Sequence, residues 1–120
     1  MVSNVRQGEV YWLNFGPASG SHPAERHPCV VVQGDIFNQS RIATTVVCLI
    51  TSNLDRAKAV GNVLLRRGDA HLPKASVVNV SQILTVDKAD LIDPIGKLSA
   101  TTVRAIWNGL QALLEGPLSS

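Results

Sequence analysis

Apolar and polar positions alternate along Gly8–Phe15: Val10, Trp12 and Asn14 fall on one side and Tyr11, Leu13 and Phe15 on the other, the period of a β-strand. Pro28-Cys-Val-Val-Val-Gln33 is a continuous run, as expected of a central strand covered on both faces, with proline at its start where a missing N–H is tolerated. Thr44–Ile50 is a second such run and ends on Thr51, Ser52 and Asn53. Shorter strands are predicted at Asn62–Leu65, Ser76–Val80 and Gln82–Val86, separated by polar turns, and a single helical turn at Asp35–Asn38. The stretch 16–27 has two Gly, two Pro and two Ser and no apolar period, so it reads as a long loop of the kind that often carries function. After Leu98 the period changes. Val103, Ile106, Trp107, Leu110, Leu113 and Leu114 recur at spacings of three and four, giving an amphipathic helix capped by Ser99 and stopped by Gly116-Pro117. Many short strands closed by one helix predict a mainly β chain, a small barrel or sandwich, forming a single domain over 1–120 with its core at about 6–115.

Composition narrows the class. At 45% hydrophobic and 17% charged residues the chain has the makings of a buried core. No apolar run approaches the roughly 20 residues that span a bilayer, and the polar start Met1–Gln7 lacks a secretory pattern, so a cytoplasmic location is expected. Cys29 and Cys48 lie inside apolar runs and are expected to pack as small hydrophobes. The formal net charge is only +2, so any case for nucleic acid rests on where charges stand rather than on their sum.

The chemistry-bearing residues cluster in two places. Metal-ligand spacings and phosphate-cradling glycine loops are absent from the sequence, so neither a metal nor a nucleotide cofactor is expected. The long loop carries His22, Glu25, Arg26 and His27, and the strand end carries Thr51, Ser52 and Asn53. Metal-free cleavage of a phosphodiester in RNA needs a proton acceptor for the 2′-hydroxyl, a proton donor for the leaving oxygen, and fixed donors around the charged phosphorane. Arginine and threonine supply donors, whereas imidazole is the side chain that exchanges protons near neutral pH. Phe37, in a connection, is a candidate for base stacking, and Trp12 and Trp107 read as core or interface anchors.

Several segments, in order, resemble the MazF/PemK family of toxin endoribonucleases: Gly8-Glu-Val-Tyr-Trp-Leu-Asn-Phe15, Gly20-Ser21 leading to a basic residue and Pro28, Val30-Val-Val-Gln33, Thr51-Ser-Asn53, Gly61-Asn-Val63 and Ser76-Val-Val-Asn-Val-Ser-Gln-Ile83. The resemblance runs from about Arg6 to Leu114. It implies an SH3-like, CcdB/PemK-like β-barrel with a C-terminal helix, a homodimer, a cognate MazE-like antitoxin, and metal-independent, sequence-specific cleavage of single-stranded RNA, messenger RNA above all. In the family an Arg directly before the loop proline and a Thr ending the third strand form the catalytic pair. Thr51 matches the Thr, but His27 stands before Pro28 and Arg26 one place earlier. Either Arg26 takes the family role with His27 moving a proton, or His27 occupies the place itself with Arg26 assisting. The candidate catalytic residues are therefore Arg26, Thr51 and His27, and the candidate RNA contacts are Ser21, His22, Ser52, Asn53, Asn79 and Gln82, the last because its amide offers both donor and acceptor to a base edge. The alternatives are a non-enzymatic CcdB-like toxin that binds DNA gyrase and a catalytically weakened barrel that keeps antitoxin or RNA binding.

Overall fold

A computed structural model describes residues 4–15 and 25–115. Among the described residues six antiparallel strands form one sheet: β1 Glu9–Phe15, β2 Glu25–Val31, β3 Thr44–Thr51, β4 Val63–Leu65, β5 Ser76–Asp87 and β6 Leu91–Lys97, in the order β4-β5-β3-β2-β1-β6. Helix α1 is the single turn Asp35–Asn38 between β2 and β3, and α2 is Ala100–Glu115. The mainly β reading with a closing helix holds, and the sheet is curled into a half-barrel.

Both faces of the central strands are apolar, as the continuous runs require. On one face Val10, Val30, Cys48, Ile50, Val78 and Val80 pack beneath Ile106 and Leu110 of α2. On the other, Tyr11, Leu13, Cys29, Val31, Val47 and Leu49 meet Leu91, with Leu84 and Val86 of the far half of β5 against them. Each fully buried Val, Leu or Ile contributes about 1.5–3 kcal/mol, so the double-sided burial fixes the central strands firmly. Ser99 caps α2 as expected, its Oγ accepting from the Thr102 N–H at 3.2 Å. The helix then settles against the chain entering β4, where a Cβ on Gly109 would collide with the carbonyl of Gly61. Glycine is required at that approach.

Three expectations change and one narrows. The loop ends earlier than composition suggests: β2 begins at Glu25, so Arg26 and His27 are strand residues opposite Asn14 and Leu13, because ladder hydrogen bonds form regardless of side-chain polarity. Ser76–Val80 and Gln82–Val86 are one strand, β5, whose pairing with β3 jumps from Leu49↔Asn79 to Cys48↔Ile83 and leaves Val80, Ser81 and Gln82 as a bulge. Strand β6 escapes sequence patterning because Asp93, Pro94 and Gly96 interrupt its alternation; it is an edge strand with two register breaks against β1, where proline is tolerated. Trp107, expected as a core or an interface anchor, is 52% exposed and so is left with the second reading, since Ile106 and Leu110 hold the buried side of α2. The expected helix stop at Gly116-Pro117 lies outside the described residues.

Candidate functional site

Register across the sheet builds a row of side chains on the face opposite α2. Leu64 of β4 pairs with Val77 of β5, Val77 with Thr51 of β3, and on the other side His27 of β2 with Leu13 of β1 and Leu13 with Leu91 of β6. The β2–β3 pairing is Cys29↔Leu49, Val30↔Cys48 and Val31↔Val47, so that by alternation along each strand His27 and Thr51 fall on the face of Cys29 and Leu49. Thr51 and His27 thus share one face, both half-buried.

Successive strand residues point to opposite faces, so Arg26 is on the other side of the sheet. There its guanidinium lies 5.0 Å from the Trp12 ring centroid and its Nη2 donates to Asp93 Oδ2 at 2.9 Å. Asp93 occupies the register break of β6 with φ +44°, which turns its carboxylate towards Arg26. Exposed ion pairs and cation–π contacts contribute only about 1 kcal/mol each, so the side chain is lightly held. Its side of the sheet is firmly held, because a one-residue slip of β2 would exchange the faces of Cys29, Val30 and Val31. Parity thus puts Thr51 and His27 on one face of the sheet and Arg26 on the other.

The strand end is shaped by its own polar side chains. Thr51 Oγ1 accepts from the Asn53 N–H at 3.2 Å, and Asn53 Oδ1 caps the 3₁₀ turn Leu54–Lys58 by accepting from the Asp55 N–H at 3.2 Å. With a lone pair of Oγ1 occupied from the chain, the Thr51 hydroxyl keeps its hydrogen for a partner. Ser52 and Asn53 are exposed beside it. Asn79 is a diagonal neighbour of Thr51 on the same face, at the roughly 7–8 Å such pairs have. It is buried, its Nδ2 donating to Gln82 Oε1 at 3.2 Å and its Oδ1 accepting from Ser81 Oγ at 2.8 Å. Ser81 is a member of this network that sequence reading passed over; its signal is its place between two candidates. Asp93, by contrast, has no local signal, because only the fold brings it to Arg26. Ser21 and His22 lie outside the described residues.

Cys29 and Cys48 are free and buried in the two cores, and burial pushes both thiols up to about 12. Burial, reinforced by donation to Glu9 Oε1 at 2.8 Å, likewise raises the Tyr11 phenol well above its usual range. None of the three is poised as a nucleophile. Among the described residues no group of three or more His, Cys, Asp or Glu is placed to hold a metal ion, and no helix is long and apolar enough to cross a membrane.

The profile of the PemK-like, MazF-like toxins of type II toxin–antitoxin systems matches residues 6–114. The chain belongs to this family. Similar relatives of this PemK/MazF-like chain include Endoribonuclease MazF2 of Mycobacterium bovis and Endoribonuclease MazF6 of Mycobacterium tuberculosis, each 42% identical over 111 residues that cover 92% of this chain and 97% of the relative. Among solved structures, a mycobacterial endoribonuclease in complex with its cognate antitoxin superposes with a TM-score of 0.77 at 23% identity, covering 96% of this chain and 99% of the other. The MazE–MazF complex of Deinococcus radiodurans does so at 0.76 and 20% identity, covering 95% and 98%. At those identities the structures establish the shared fold.

Proposed function

We propose that this protein is the toxin of a type II toxin–antitoxin pair and acts in the cytoplasm as a sequence-specific, metal-independent endoribonuclease on single-stranded RNA, messenger RNA included. The observation that carries the reading is the shared face of His27 and Thr51 in a chain of this family. The 2′-oxygen of the substrate attacks the adjacent phosphorus and the bond from phosphorus to the 5′-oxygen breaks. The 2′-hydroxyl proton passes to the His27 imidazole, which returns a proton to the departing 5′-oxygen. The products are a 2′,3′-cyclic phosphate and a 5′-hydroxyl. Thr51 donates its hydroxyl hydrogen to a non-bridging oxygen of the phosphorane, where charge accumulates. Arg26 acts from the opposite face as a positioning residue, holding the start of β2 against β1 and β6 through Trp12 and Asp93. Ser52, Asn53, Asn79 and Gln82 line the RNA path, and Ser21 and His22 are further candidate contacts named from the sequence alone.

The same reading makes the curled sheet an SH3-like, CcdB/PemK-like barrel. Support comes from Gly96 of β6, packed so tightly on the Ala70 backbone that a Cβ would overlap it, which draws the β6 edge towards the turn after β4. A homodimer and a MazE-like antitoxin are the expected partners, supported by relatives solved with antitoxin and by the exposed Trp107 and Leu114 of α2. The test is incubation of the pure protein with a long RNA in EDTA. Discrete fragments bearing 2′,3′-cyclic phosphate ends are expected; intact RNA across several substrates would overturn the reading in favour of a barrel that only binds, to gyrase or to RNA.

A further inference from the structure

The bulge of β5 distinguishes the two ends of one exposed amide. Gln82 was a candidate base reader because a free carboxamide offers a donor and an acceptor. In the structure its Oε1 already accepts from the buried Asn79 Nδ2 at 3.2 Å, and Asn79 is itself oriented by Ser81, whose hydroxyl donates to Asn79 Oδ1 at 2.8 Å. The three residues surround the register break between Leu49↔Asn79 and Cys48↔Ile83, and Asn62 Oδ1 pins the bulge from beneath by accepting from the Val80 N–H at 3.0 Å. Gln82 is therefore an exposed side chain whose Oε1 is engaged by Asn79 and whose Nε2 makes no hydrogen bond among the described residues.

We infer that Gln82, held by Asn79 and Ser81, presents its amide hydrogens to the 4-position of a pyrimidine or the 6-position of a purine, so that the carbonyl there in uracil or guanine (keto) is preferred over the amino group there in cytosine or adenine (amino) at one position of the cleaved RNA. The inference rests on the RNA-cleaving reading above and deepens it. At that position a carbonyl accepts from the amide hydrogens, whereas an exocyclic amino group meets them donor to donor and leaves both groups unpaired. Asn79, which holds the reader, is a diagonal neighbour of Thr51, so under the proposed function the reader stands beside the residue assigned to the phosphate.

The experiment measures relative cleavage of oligonucleotides varied one position at a time, so that the readout is a ratio between substrates and not the overall rate. Wild-type protein should favour keto over amino bases at one position by about tenfold, the scale of a good base contact. Gln82→Glu, a change at an exposed position, leaves one carboxylate oxygen bonded to Asn79 and turns an acceptor outward, so the preference should move towards amino bases. Asn79→Leu, of similar volume, frees the amide to rotate and should flatten the ratio; if that variant does not fold, Ser81→Ala tests the same dependence from an exposed site. Discrete cleavage by wild type with no keto preference at any position, or a preference unchanged in Gln82→Glu, would overturn this inference alone. No cleavage by wild type would overturn it together with the reading on which it rests.

Discussion

His27 and Arg26 are one residue apart in sequence and a full sheet thickness apart in what they can touch. Pleating alone decides this: His27 is paired with Leu13 on the face of Thr51, and Arg26 is opposite Asn14 on the face of Trp12. The doubt over which of the two takes the place before Pro28 is thus a question of parity, which the sequence poses but cannot answer without a strand boundary. At the same scale, the cysteines make a prediction about pH. Their thiols move from 9.0 to about 12 on folding because burial disfavours the thiolate. A raised folded-state value means that the unfolded chain loses protons first, so this stability is present below about pH 9 and lost as pH climbs towards 12. Urea melts should therefore show unfolding free energy falling over that alkaline window, and less steeply in a Cys29→Ala, Cys48→Ala variant. Equal slopes in the two proteins would contradict the assignment.

Elements with a clean period were legible, and those defined by partners were not. The apolar runs at Val30 and Val46, the α1 turn and the Ser99-capped helix follow from local pattern. The start of β2 and the whole of β6 do not, because polar, proline and glycine positions enter a ladder only when a neighbouring strand presents its backbone. The β5 bulge hid for the related reason that two alternating segments separated by a break look like two strands. Helix α2 depends on a contact of this non-local kind at Gly109. Alanine there gains up to about 1 kcal/mol of helix propensity, but its methyl meets the Gly61 backbone, and forced overlap typically costs about 1–3 kcal/mol. Gly109→Ala should lower the melting temperature by several degrees; a higher one would show that the helix moves aside freely.

At the scale of the whole molecule, the family and the mainly β architecture were readable because several weak segments recur in a fixed order along the chain. The candidates Thr51, Arg26 and His27 can be named from the sequence, but not which of them share a face, since that depends on sheet parity, nor the Asn79–Gln82 network, which includes the unremarked Ser81. The molecule that emerges is a curled sheet clamped by α2 on one side, with a row of polar and apolar groups from Leu64 to Leu91 crossing the other. The central claim is that His27 and Thr51, not Arg26, act on the phosphodiester. Its most direct measurement is the single-turnover rate of RNA cleavage in EDTA for Thr51→Val, His27→Ala and Arg26→Ala, each shown to be folded. The first two should lose about 10²–10³-fold, the scale of a positioned donor or proton carrier, with Arg26→Ala within a few fold of wild type. A rate that collapses in Arg26→Ala and survives in His27→Ala would contradict the account.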